Sequence, residues 1–228
     1  ERAVQSGVIS KNEMKTAVVL TSILSLISAG LLIYFGAKGM PKSIVWFYIG
    51  LAFLCVLAAI TYTVGKKAYG YHGMGDIMVF IFFGIVSVLG VYSLYSKSFL
   101  YDNILLAISV GLLSTAVLNL NNMRDYANDE KSGKNTIVVK MGPTKAKLYH
   151  ALLILVALTT MAQFISKINR PILFLAMLPG IYLIYHLRKV MYTTDSSDFD
   201  PELKKVALST FAFSVLMFGL LIYLSHNG

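Results

Sequence analysis

Seven apolar blocks of about 20 residues each set the limits on what this chain can fold into. They run roughly over Lys15–Gly36, Ser43–Val64, Asp76–Ser96, Phe99–Asn119, Ala146–Ser166, Pro171–Leu187 and Leu203–Ser225. A helix of that length crosses about 30 Å of hydrocarbon. In lipid a helix satisfies its own backbone hydrogen bonds, whereas an open sheet edge cannot. Composition agrees: 14% of the 228 residues are charged, against about 25% in a soluble domain. The expected fold class is an all-α integral membrane protein with seven transmembrane helices. One membrane domain over residues 1–228 is expected, because no internal repeat, low-complexity tract or linker separates the blocks.

Local signals refine the blocks. Pro171 suits the first turn of its helix, where a missing N–H costs nothing. Asp200-Pro201-Glu202 reads as a helix start with Asp200 as N-cap. Pro179-Gly180 is expected to kink the sixth span. Of the 20 Lys and Arg residues, Lys38, Lys42, Lys97, Lys167 and Arg170 fall in loops on one side, and the other fifteen on the opposite side. The positive-inside rule puts the fifteen in the cytoplasm. The N-terminal segment shares that side, and the C-terminus lies outside.

The net charge of +9 has no basic cluster with interleaved aromatics behind it, so loop lysines account for it and no nucleic-acid partner is expected. Cys55 is the single cysteine, which excludes disulfides within the chain and cysteine metal clusters. The opening stretch ERAVQSGVISKNEMK holds no apolar core of the signal-peptide kind, and it begins with Glu1 rather than Met.

The chemistry concentrates in one long polar stretch, Asn119–Gly142, NLNNMRDYANDEKSGKNTIVVKMG. Asn121, Asp125 and Asp129 stand four apart, so on a helix they share a face with about 6 Å between neighbours along the axis. Like charges at that spacing repel, and a divalent cation between them is the natural answer. Mg²⁺, held by one or two carboxylates plus substrate phosphates, suits the pair better than Ca²⁺. Lys66, Lys67, Arg124 and Lys134 are candidates to neutralise such phosphates. If a diphosphate then left an allylic carbon, Tyr62, Tyr69 and Tyr71 in the glycine-rich loop could offer aromatic faces to the cation. That loop also carries His72 and Asp76. Bland readings stand beside these: a solvated acidic helix end, an interfacial tyrosine belt, and lysines that only set topology. His150, His186 and His226 read as interfacial, and Asp195, Asp198, Asp200 and Glu202 as a solvated loop.

The motif NNMRDYANDEKSGKNT resembles the second aspartate-rich motif of the UbiA-type intramembrane prenyltransferases. In the form N-x-R-D-x-x-x-D-x-x-x-G-K-x-T followed by VVKMG, it is most similar to the branch acting on 1,4-dihydroxy-2-naphthoate in menaquinone synthesis. YGYHGMGDIMVFIFFG resembles that branch's Y-x-G-L-G-D/E-x-x-V-F-x-F-F-G run, and AVQSGVIS the segment after the family's first motif. The resemblance covers essentially the whole chain. It implies a Mg²⁺-dependent transferase that ionises a polyprenyl diphosphate, attaches the allylic cation to the ring and releases CO₂ to give a demethylmenaquinol. By position, Asp125 and Asp129 would be catalytic metal and diphosphate ligands. Lys66 and Tyr62 would also be catalytic. Asn121, Asn122, Arg124, Lys134, Lys67, Tyr69, Tyr71, Asp76 and Arg2 would bind substrate. The family has nine transmembrane helices and a first motif after the first of them. The seven spans here carry no such motif, so the missing two spans and half-site are expected upstream of Glu1, which the topology parity allows. These 228 residues alone, with half of the metal site, are expected to be inactive. The expected place is a bacterial inner membrane with a cytoplasmic-facing site.

Two other readings stand. The acceptor could be 4-hydroxybenzoate, haem or a chlorophyll precursor, because acceptor choice depends on pocket shape. A transporter or membrane scaffold would differ in class, but the spans lack inverted repeats, paired helix breaks and charges at depth.

Overall fold

The computed structural model describes residues 4, 7–65, 68–98 and 103–227. Among them there is no strand. Seven helices are long and apolar enough to cross a membrane, as the hydropathy blocks predict. The chain divides into two compact units, one of residues 1–68 with 94–98 and one of residues 69–93 with 99–228.

The first unit is built on a helical hairpin, α1 (Lys11–Gly36) and α2 (Lys42–Thr63). Ser10 starts α1 with a reciprocal cap: its Oγ accepts the Glu13 N–H at 3.2 Å, and its own N–H donates to Glu13 Oε2 at 2.8 Å. This satisfies two of the amides that a helix start leaves bare. Ile33, Ala37, Tyr48 and Leu94 form the buried centre of the unit, and Lys97 Nζ donates to the Gly36 carbonyl. Leu20, Ile23, Leu24, Ile27 and Leu31 along α1 are all exposed. Such a surface costs free energy in water and nothing in hydrocarbon.

The second unit carries the polar stretch. Its helices are α3 (Gly75–Ser96, whose end from Leu94 groups with the first unit), α4 (Ile104–Arg124), α5 (Tyr126–Lys131), α6 (Ile137–Met141), α7 (Pro143–Ile168), α8 (Pro171–Tyr192) and α9 (Phe199–Asn227). Central α4 packs against α3, α7 and α9. Leu113, Ala116, Leu120, Ile154, Ala157, Leu183, Val206 and Phe213 interlock in its core, and Ser109 Oγ ties α4 to α7 through the Ala157 carbonyl at 2.9 Å. Helix α3 winds as a π-helix over Phe80–Gly90, and crosses α4 where Gly84 meets Gly111 without intervening side chains. A Cβ at Gly84 would stand 2.6 Å from the Ala107 carbonyl oxygen and from Gly111 Cα.

Two helix starts differ from the sequence expectation. Helix α8 opens as a 3₁₀ turn over Pro171–Met177 and becomes α-helical from Leu178. Pro179 therefore falls at a fresh helix start, where its missing N–H is harmless. Asp195 caps a 3₁₀ turn, Ser196–Asp198, that leads into α9, its Oδ1 accepting the Ser197 N–H at 2.9 Å. Asp200 already lies inside the helix, and its carboxylate is used elsewhere.

Candidate active site

The end of α4 and the segment after it build the site. The chain loosens at Asp125 (φ −88°, ψ 3°), yet the helical bonding runs on. Asp125 N–H donates to the Asn121 carbonyl at 3.0 Å and Asp129 N–H to the Asp125 carbonyl at 2.8 Å. Each step of four residues overshoots a full turn by about 40°, so the predicted row of Asn121, Asp125 and Asp129 rotates along its length. Asn121 and Asp125 stay on a partly open side, whereas Asp129 turns inward and is 1% exposed. Asn122, seven residues before Asp129 and therefore within about 20° of it, is buried on that inner side.

Both carboxylates are answered by cations of the protein. Arg124 Nε donates to Asp125 Oδ1 at 2.9 Å and one terminal nitrogen to Asp125 Oδ2 at 3.1 Å and Asn121 Oδ1 at 2.6 Å. Its other terminal nitrogen reaches Asp200 Oδ1 at 2.6 Å. On the inner side, Gly133 turns the chain with φ +70°, a value glycine adopts without strain. Lys134 then folds back, its N–H on the Asp129 carbonyl at 2.9 Å and its Nζ on Asp129 Oδ2 at 2.8 Å. Lys134 is 8% exposed. So Arg124 and Lys134, assigned by sequence to phosphate, bind the acids here.

The glycine-rich loop closes the same end of the unit. The Asn135 N–H donates to the Tyr71 carbonyl at 2.9 Å and Lys140 Nζ to the His72 carbonyl at 2.8 Å. Gly73 is needed there, since its φ is +80° and a Cβ would meet Lys140 Nζ at 2.8 Å. Tyr69 and Tyr71 are half-buried in this loop, and burial pushes the Tyr69 phenol above its ordinary pKa. Asp76 is brought elsewhere. Its Oδ2 accepts the Tyr149 hydroxyl at 3.1 Å, and with Phe80, Leu112, Thr115 and Leu153 it lines a separate cavity of about 260 Å³. Tyr62 belongs to α2 of the first unit. Arg2, Lys66 and Lys67 lie outside the described residues.

Asn121, bonded to Arg124, also lines an apolar groove between α3, α4 and α9. Its first part, about 510 Å³, is lined by Val79, Phe83, Ser114, Val117, Leu118, Asn121, Leu203, Ala207 and Thr210. A second part of about 260 Å³ adds Val88, Leu106, Val110, Leu113, Met161, Phe213, Ser214 and Met217, and shares Thr210 with the first. Along α4 the two linings together reach from Asn121 back to Leu106, about 22 Å at about 1.5 Å per residue. A charged mouth on a long apolar groove suits an amphiphile with an anionic head.

Among the described residues no cluster of three or more His, Cys, Asp and Glu side chains is arranged to hold a metal ion. The donor types nevertheless suit Mg²⁺: Asp125 on the open side and Asp129 on the inner side offer carboxylate oxygens, and the buried Asn122 Oδ1 has no hydrogen-bond partner among the described residues. Asn119, absent from the sequence-level candidates, is also fully buried, with neither amide atom partnered among the described residues.

Several polar residues outside the predicted set proved to be central, against the sequence reading. Glu202 does not belong to a solvated loop: it is fully buried and bonded by Lys205, Lys189 and His186. His150 and His186 are not interfacial, since both are fully buried and bonded to each other. A glutamate within the first turn of an apolar helix, with Lys205 three residues on, was the available signal.

Residues 1–206 match the model of the UbiA prenyltransferase family. The chain is 40% identical to "1,4-dihydroxy-2-naphthoate octaprenyltransferase" of Escherichia coli (strain K12), over 99% of this chain and 72% of that protein. It is 39% identical to the Haemophilus influenzae protein of the same name, over 97% of this chain and 72% of that protein. It is 33% identical to human "UbiA prenyltransferase domain-containing protein 1" over 40% of this chain and 27% of that protein. No solved structure matches.

Proposed function

The chain belongs to the UbiA prenyltransferase family, and from that premise we propose that it transfers a polyprenyl group from its diphosphate to 1,4-dihydroxy-2-naphthoate, as a step of menaquinone synthesis. The carrying observation is that Asn121, which lines the apolar groove, is held by Arg124, and Arg124 also binds Asp125. A polyprenyl diphosphate has that same division into an anionic head and a long apolar tail. The acceptor follows from the names of the relatives.

Asp125 and Asp129, with Asn122 beside them, would hold Mg²⁺. When bound, Mg²⁺ offsets the charge of the diphosphate and makes it a better leaving group. Arg124 spends four of its five N–H donors on described residues, and the fifth is available to a phosphate oxygen. Lys134 adds positive charge beside Asp129. The allylic C–O bond breaks with its electron pair leaving on the diphosphate. Groove residues such as Val79, Phe83 and Leu118 exclude water from the resulting cation, and the Phe83 face stabilises it. The ring carbon bearing the carboxylate supplies the pair for the new C–C bond. The C–CO₂ pair then returns to the ring as CO₂ departs. The excess of positive loops supports a cytoplasmic-facing site in a bacterial inner membrane.

The test is Mg²⁺-dependent prenyl transfer to 1,4-dihydroxy-2-naphthoate in membranes, with Asp125→Ala and Asp129→Ala alongside. Both substitutions should abolish transfer. Transfer that survives both would remove these aspartates from the mechanism. Transfer only to 4-hydroxybenzoate would reassign the acceptor.

A further inference from the structure

Three side chains from three helices form a hydrogen-bonded chain closed to solvent: His150 of α7, His186 of α8 and Glu202 of α9, each 0% exposed. The two Nε2 atoms lie 2.9 Å apart with one ring proton between them, and His186 Nδ1 donates to Glu202 Oε2 at 2.6 Å. Lys205 and Lys189 donate to the other oxygen, Oε1, at 2.6 and 3.2 Å. Apolar side chains of the same volume would hold these helices at least as firmly, because burying charge is costly. What the polar chain adds is direction. Hydrogen bonds fix the rotation and height of the first turn of α9, which non-directional packing around Val206 does not.

That first turn also carries Asp200. Two helical residues are separated by about 200°, so Glu202 faces the bundle while Asp200 faces the end of α4. There it holds Arg124 at 2.6 Å, and Arg124 grips Asn121 and Asp125. We propose that the His150–His186–Glu202 chain positions the diphosphate site, by setting α9 so that Asp200 aims the Arg124 guanidinium. The three residues touch no substrate; they act through Asp200 and Arg124. This inference rests on the reading of the mouth as a prenyl diphosphate site.

The experiment is a double-mutant cycle on farnesyl diphosphate binding, measured by calorimetry with Mg²⁺ on the purified protein. Its members are Glu202→Gln, Asp200→Asn and the pair together, each with its thermal unfolding recorded. Asp200 is an exposed side chain, so its substitution should leave unfolding unchanged. Each single change should weaken binding about tenfold, as loss of an outer partner does. The double variant should bind no worse than the weaker single one, since both act through one guanidinium. If Glu202→Gln does not fold, His150→Phe, which keeps a buried ring but loses the bond to His186, replaces it. Effects that multiply, or wild-type binding by the Glu202 variant, would overturn the positioning role while leaving the site intact. Absence of binding in the wild-type protein would instead remove the functional reading, and this inference with it.

Discussion

Asp129 and Lys134 form an ion pair whose side chains are only 1% and 10% exposed. Two such charges stay together because each alone would lose several kcal/mol of hydration. Lys134→Met should therefore cost about 3 kcal/mol or more, seen as a fall in Tm in detergent, and adding Asp129→Asn should recover much of it. Arg124 poses a different problem, since it binds three side chains in one plane. A lysine offers a point charge instead of a fork. With charged hydrogen bonds worth about 1.5–3 kcal/mol each, Arg124→Lys should raise KM for the polyprenyl diphosphate about tenfold or more, with less effect on KM for the acceptor. Spacing along the sequence brings Asn121, Asp125 and Asp129 into one row, and the structure keeps Asn121 and Asp125 together. It cannot reveal the rotation that buries Asp129, which depends on the accumulated overshoot of each turn. Nor can it reveal that Asp200, 76 positions from Arg124, closes on it. That contact exists only once α9 lies beside α4.

At the scale of the helix, the spans are readable because each must present an apolar surface about 30 Å long, and the observed ends lie within a few residues of the hydropathy blocks. The winding of α3 is not readable. Phe80–Gly90 is apolar nearly all round, so no polar stripe marks its register and nothing distinguishes a π-helix from an α-helix. The crossing of α3 and α4 depends on two glycines that the hydropathy pattern treats as neutral. Gly84→Ala puts a methyl group 2.6 Å from backbone atoms of α4, which have nowhere to go. The helices must part, at about 1–3 kcal/mol. Gly30→Ala in α1 is the control, because a Cβ there meets nothing within 4 Å and alanine is the better helix former by about 1 kcal/mol. Thermal unfolding should fall for the first and hold or rise for the second. Equal falls would show that the crossing is not closely packed.

At the scale of the whole molecule, the membrane class follows from length and apolarity alone, but the groove does not. Its walls come from α3, α4, α7 and α9, and their inner residues differ little in type from those facing lipid: Val117 lines the groove, while Val215 on α9 is 50% exposed. Only packing separates the two. Thr210 is where the two parts of the groove meet, since it lines both cavities. Its hydroxyl already bonds the Val206 carbonyl at 2.9 Å, so it adds little polarity to the passage. Thr210→Phe would fill the junction and leave the first part, of about 510 Å³, open to the mouth. A short prenyl tail ends before that junction, whereas a long one must pass it. Transfer from octaprenyl diphosphate should then fall at least about tenfold, the equivalent of about 1.4 kcal/mol, while transfer from farnesyl diphosphate persists. The comparison is made as kcat/KM for the two donors in the same membranes. An equal fall for both would mean the bulk disturbs the mouth itself. No fall for either would place the tail outside this groove, against another face of the bundle.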